Sequence, residues 1–158
     1  MLSVLVAFGV RCLLVGLFLP FSALDKILNF KQAVAQASQT VSNRVVAKAL
    51  IACGFGVEVV MSAAILTGIA DRLAAFILAG YCIFTALLWK QFWKEPNFRL
   101  KGPSAGRDVF WDFMKNVALA GGFLTLAFGS DATGVQRFVF HPLQSSRPYV
   151  VSETVHER

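Results

Sequence analysis

The sequence predicts an all-α integral membrane protein: a bundle of four spanning helices, with an amphipathic interfacial helix between helices 1 and 2. Three observations carry this. Apolar residues make up 56% of the 158 residues and the mean hydropathy is +0.63, where soluble domains hold about 45–50% apolar residues. The excess falls in four blocks, Leu2–Leu24, Val45–Ile69, Leu73–Trp93 and Val109–Gly129, each of 21 to 25 residues. A helix needs about 20 residues to cross a hydrocarbon core of about 30 Å. Spanning strands would be about half as long and would alternate in polarity, which these blocks do not; helices also satisfy their own backbone hydrogen bonds in lipid.

The first block lacks a basic leader and is interrupted by Arg11, so it is expected to stay as a helix rather than be removed as a signal peptide. The link from Asp25 to Arg44 sets Ile27, Leu28, Phe30, Ala33, Val34 and Ala37 at helical spacing, with Lys31, Gln32, Gln36 and Gln39 between them. That pattern predicts a helix lying in the membrane interface. The turn around Ala70, Asp71 and Arg72 is short, which makes the second and third helices antiparallel neighbours. The link from Lys94 to Arg107 carries Pro96, Gly102, Pro103 and Gly106 and reads as a loop. Residues 1–129 form the membrane domain. Residues 130–158, with Pro142 and Pro148, form a polar tail, extended or held by a partner.

The formal charge of +6 does not imply nucleic acid, because no recognition motif accompanies it and the basic residues flank apolar blocks. With four crossings, links one and three share a side. That side carries Lys26, Lys31, Arg44, Lys48, Lys90, Lys94, Arg99, Lys101, Arg107 and Lys115, whereas the other carries Arg72, Arg137, Arg147 and Arg158. The excess places links one and three in the cytoplasm and both termini outside. Trp89, Trp93 and Trp111 read as an aromatic belt on the cytoplasmic side. Gly16, Gly54, Gly56, Ala63, Gly80, Gly121 and Gly122 are candidates for close helix approach.

Ionisable groups inside the blocks point to a site, because lipid penalises them. Arg11 lies nine residues from the start of the first block and Glu58 eleven before the end of the second, depths that differ by about 3 Å. An Arg11–Glu58 ion pair is expected, with the Tyr81 hydroxyl at a similar depth able to join it. Such a pair either fixes helix register or forms a polar site that binds a head group or relays a proton. A second polar layer holds Asp25, Lys26, Asp112, Lys115 and Asn116. The last three share one helix face, and Lys26–Asp112 or Asp25–Lys115 pairing is expected. Cys12, Cys53 and Cys82 read as buried packing residues. His141 and His156 stand apart in the tail without metal-ligand spacing, so no metal is expected. No phosphate loop, nucleophile elbow or haem attachment motif is found.

The order Arg11…Gly16-Leu17-Phe18…Ser22-Ala23-Leu24-Asp25-Lys26, then Glu58…Ile65-Leu66-Thr67-Gly68 and Asp71-Arg72-Leu73-Ala74-Ala75, then Phe110…Phe113-Met114-Lys115-Asn116 to Gly122, resembles the DoxX family of bacterial four-helix membrane proteins. The resemblance runs from about residue 5 to 129. One departure is Ser22-Ala23, where the family often has glycine. The resemblance implies a bacterial inner-membrane protein tied to respiratory or redox chemistry and close to quinone. On that basis the function expected is an accessory subunit of a membrane redox complex, with a larger complex or a second copy as partner. It would carry no electrons itself, since the sequence shows no ligand set for haem or iron–sulfur clusters. The alternatives are a quinone-reactive oxidoreductase subunit using Arg11, Glu58 and Tyr81, and a small transporter or proton pathway.

Overall fold

A computed structural model describes residues 1–150; the end of the tail, including His156 and Arg158, lies outside the described residues. The described chain is all α-helical. Its helices are α1 (Leu2–Val15), α2 (Ala23–Leu28), α3 (Phe30–Thr40), α4 (Arg44–Thr67), α5 (Asp71–Trp89), α6 (Ala105–Phe128) and α7 (Ala132–Phe140).

The first apolar block continues through a π-helical stretch, Leu17–Ser22, between α1 and α2. Pro20 sits inside it. Proline has no N–H to give and its ring crowds the carbonyl one turn back, so the ladder widens there rather than running on as α-helix. The detour matters because it aims Phe18 and Ser22 into the bundle. Together α1, the π stretch and α2 form one span, Leu2–Leu28.

The other termini follow their capping residues. Asn43 accepts hydrogen bonds from Val45 N and Val46 N at the start of α4. Gly68, with φ of 77°, ends α4 in the left-handed conformation that only glycine adopts freely. Ser104 caps α6 through the Arg107 amide, and Asp131 caps α7 through the Gly134 amide.

Among the described residues, three helical stretches are long and apolar enough to cross a membrane: Leu2–Leu28, Arg44–Thr67 and Asp71–Lys94. The chain is therefore a membrane protein. The fourth block is also a 24-residue helix, α6, but Arg107, Asp108, Asp112, Lys115 and Asn116 dilute its first half. Its second half packs along α5 through Ala120, Phe123 and Ala127, which join Val15, Phe18, Ile65, Ala75, Leu78 and Cys82 in the main core. The link between the first two spans folds into α3 as its amphipathic pattern requires. Val34 and Ala37 are buried against Ala47 of α4, with Ile51 and Trp89 beside them.

The tail is not extended throughout. Its first part is α7, whose Phe138 packs on Phe76 and Phe128. Its later part returns across the bundle end, where Ser146 bonds Asp71 and Tyr149 bonds the Leu66 carbonyl. Trp93 and Trp111 are exposed, as belt residues would be, whereas Trp89 packs inward.

Candidate functional site

Charges inside an apolar bundle survive only when paired and hydrogen-bonded. Among the described residues, Arg11, Glu58 and Asp71 are the buried charged ones, and they sort into two clusters on different levels.

In the first, Arg11 Nη2 stands 2.6 Å from Asp71 Oδ2 and Nη1 donates to the Ile65 carbonyl at 2.6 Å. Arg11 also donates to Ser146 Oγ at 2.8 Å. Ser146 in turn gives its backbone N–H to Asp71 Oδ1 and its hydroxyl to Asp71 Oδ2. The expected Arg11–Glu58 pair does not form. Arg11 reaches the Ile65 carbonyl, two residues before the end of α4 at Thr67, so α1 begins beyond the end of α4, and counting depth from Leu2 sets Arg11 too deep. Its true level is that of Ile65, two helical turns from Glu58, about 10 Å.

In the second, Glu58 is 2% exposed and takes Lys26 Nζ at 2.8 and 2.9 Å on its two oxygens. Tyr81 donates its hydroxyl to Glu58 Oε1 at 2.8 Å, and Ser22 donates to the same oxygen at 3.1 Å. Lys26 also donates to Ser22 Oγ at 2.7 Å. Ser22 and Lys26 are one turn apart, so the π stretch and α2 deliver both to one carboxylate. The Ser22-Ala23 departure from glycine therefore supplies a hydroxyl to the Glu58 cluster rather than only altering packing. Gly54 on α4 faces Tyr81: a Cβ there would lie 2.9 Å from the Tyr81 oxygen, so glycine makes room for the hydroxyl.

The expected Lys26–Asp112 and Asp25–Lys115 pairs are also absent. Helix α2 runs on past Leu24, which turns Lys26 inward to the buried Glu58, the group in greatest need of a counter-charge. Asp25 accepts instead from Asn29 at 2.7 Å. Asp112 pairs with Lys90 at 3.1 Å and Lys115 at 3.2 Å, and Asn116 donates to the Asp112 carbonyl at 2.9 Å. Lys115 is largely exposed and this layer is solvated.

Beside the Glu58 cluster lies a cavity of about 450 Å³ between the π stretch, α2, α3, α4 and α5. Ser22, Lys26, Glu58 and Tyr81 form one end. Leu17, Phe18, Val57 and Phe84 supply apolar walls, and Trp89, Lys90, Gln36 and Asn116 stand toward the other end. Arg11, Asp112 and Lys115 do not line it. Cys53 does line it and is exposed, unlike the buried Cys82. Among the described residues, no three His, Cys, Asp or Glu side chains are grouped to hold a metal ion.

The family model of DoxX matches residues 3–91, more than half of the 158-residue chain. The chain belongs to the DoxX family. The matched part of this DoxX protein holds α1 to α5, and with them both buried clusters except Ser146, and the whole cavity wall except Asn116. The resemblance noted in the fourth block, Phe110 to Gly122, lies beyond the matched residues. No curated protein and no solved structure matches the chain.

Sequence reasoning brought Glu58 and Tyr81 together correctly and found Lys26, but on the wrong partner. It missed Asp71, Ser146 and the role of Ser22. The available signal for Ser22 was its one-turn spacing from Lys26; nothing local marks Ser146.

Proposed function

We propose that this DoxX protein is an accessory membrane subunit of a quinone-linked redox complex in the bacterial inner membrane, and that it holds a quinone ring in the cavity beside Glu58. In this reading α6 is the fourth crossing, α3 lies in the cytoplasmic interface, and both termini face outward. The basic links support that orientation.

The observation that carries the proposal is a ligand-sized cavity, apolar in its walls, closed at one end by a fully hydrogen-bonded Lys26–Glu58–Tyr81 cluster. Its volume of about 450 Å³ falls in the range of small-molecule sites, about 300–1,000 Å³. The donor set suits a quinone carbonyl. Lys26 has three N–H donors and spends one on Ser22. It can turn another from a Glu58 oxygen to a ligand, while Tyr81 and Ser22 keep the carboxylate satisfied. A bound quinone would bring two-electron chemistry; the residues around it bind, orient and exclude water.

The test is mild-detergent purification of the full chain, with quantification of extracted quinone and identification of co-purifying proteins. Quinone and a partner oxidoreductase should accompany the wild type. A helical, monodisperse E58Q should lose the quinone. Wild-type protein free of both quinone and any oxidoreductase refutes the proposal.

A further inference from the structure

The chain does not leave the bundle where its last long helix ends. Helix α6 stops at Phe128, and Gly129, with φ of 77°, turns the chain back in a conformation that favours glycine. Gly134 and Phe138, one turn apart, are the buried residues of α7. A Cβ on Gly134 would overlap the Phe128 carbonyl, so the α7 backbone lies directly against the end of α6. Phe138 closes a three-ring cluster with Phe76 of α5 and Phe128, their ring centres 5.1 and 5.2 Å away.

That cluster fixes the depth of α7. Phe76 belongs to the span Asp71–Lys94 and is 43% exposed on its flank. It stands five residues in from Asp71, a rise of about 7.5 Å. Its side chain leans back toward the helix start by about one residue, which leaves the ring about 6 Å inside the end of the span. Helix α7 thus runs beside a spanning helix, within its length, rather than beyond the bundle end.

The two flanks of α7 differ. At 3.6 residues per turn, Val135 and Val139 stand about 60–100° round from Phe138 on one side, and Thr133 and Arg137 about 100–140° round on the other. Val135 and Val139 are 46% and 67% exposed, and Phe140 and Leu143 add exposed apolar surface at the C-terminal end. On the opposite flank Arg137 donates to Thr133 Oγ1 at 3.0 Å and pairs with Asp131 at 3.7 Å. A helix in the plane of the interface seats its apolar face about 5–10 Å into the boundary between head groups and acyl chains, and the depth of the Phe76 ring falls in that range. Val135 neighbours Phe138 on the helix surface, and Phe138 stacks on the exposed Phe76. The apolar flank therefore continues the lipid-facing surface of the bundle.

We infer that α7 is a lipid-binding helix, lying in the membrane interface with Val135 and Val139 against acyl chains and Thr133 and Arg137 toward water. Phospholipid, rather than a second copy or another protein, covers the apolar flank. Arg137 is already paired, so apolar contact sets the seating and anionic head groups are not required. The helix holds the tail in lipid before Ser146 and Tyr149 close over the bundle end. This seating is independent of the quinone site.

The experiment places a nitroxide at one position at a time, through V135C, V139C or T133C, on the full chain carrying C12A and C53A; Cys82 is 0% exposed and stays. The labelled protein is held in nanodiscs of phosphatidylcholine, alone or mixed with phosphatidylglycerol. A water-soluble nickel chelate should lose access to positions 135 and 139 while oxygen keeps it, and should retain access to 133, in both lipid compositions. Nickel access at all three positions puts the flank in water and overturns the inference. Loss of both probes at 135 and 139 puts protein on it and does the same. The wild-type chain gives a second measurement that needs no variant. Phosphatidylcholine with a photoreactive group in its acyl chain should leave adducts on Val135 or Val139 as well as on the spans; adducts on the spans alone overturn the inference. Quinone enters neither measurement, so failure here leaves the proposed function standing.

Discussion

Replacing Asp71 with alanine isolates the Arg11 cluster. Asp71 is fully buried and Arg11 is 4% exposed. In D71A the guanidinium keeps only two neutral oxygens, the Ile65 carbonyl and Ser146 Oγ, and stays out of reach of water. The Ser146 N–H and hydroxyl lose their acceptor at the same stroke. Removing one partner of a buried pair costs about 3–5 kcal/mol, and that range is expected here. Replacing both partners with apolar residues, R11M with D71L, removes the uncompensated charge and should recover most of the loss.

The assay is a double-mutant cycle read by helicity during reversible denaturant titration in mixed micelles. Arg11 and Asp71 should couple by about 2 kcal/mol or more, while a parallel cycle on Arg11 and Glu58 should be additive within about 0.5 kcal/mol, as for groups with no shared partner. A D71A loss below about 1 kcal/mol, or stronger coupling of Arg11 to Glu58 than to Asp71, would refute the pairing and restore the one expected from helix depth alone.

Two further perturbations probe other parts of the molecule. G54A places a methyl 2.9 Å from the Tyr81 oxygen; it should cost about 1–3 kcal/mol by overpacking, and adding Y81F should return part of that in the same titration. If Y81F gives no rescue, the close approach is not what fixes Gly54. Asp131 caps α7, and hydrogen bonds from the Thr133 hydroxyl and then the Gly134 amide hold its carboxyl below the usual carboxylate range. A depressed folded value means the stabilisation is complete above the unfolded pKa of about 4 and fades as pH falls through the folded one. Hydrogen-exchange protection in α7, taken relative to the intrinsic amide rate at each pH, should therefore fall on acidification below about pH 4, and D131N should remove that dependence.

The three spans were legible because their blocks are long, apolar and bounded by polar residues, properties that need no knowledge of neighbours. The pairing of Glu58 with Tyr81 was legible for a related reason: both sit mid-span on helices joined by a three-residue turn, so their levels are tied locally. Arg11 is different. Its level depends on how far α1 slides past α4, and the long link through α3 leaves that offset to tertiary packing. Asp71 looked like an ordinary turn residue, and only the returning tail makes it a buried acceptor. Lys26 looked interfacial until α2 was seen to continue past Leu24. Ser146 lies 75 residues from Asp71, with no periodic or compositional mark to connect them.

The two charged clusters are not equivalent, and the difference decides where function belongs. Around Arg11 and Asp71 the hydrogen bonds are taken up by the Ile65 carbonyl and by Ser146, and the tail lies across the top with Tyr149 on the Leu66 carbonyl. The cavity does not reach this cluster. That cluster ties the chain end to the ends of α4 and α5. Around Glu58 the charges are balanced too, with all three Lys26 donors taken up by Ser22 and Glu58, but the cluster forms the wall of a cavity. A buried ion pair is a poor way to gain stability, since apolar residues of similar volume commonly do as well or better. That is why the proposed function is placed at Lys26 and Glu58, which line a cavity, and not at Arg11 and Asp71, which do not.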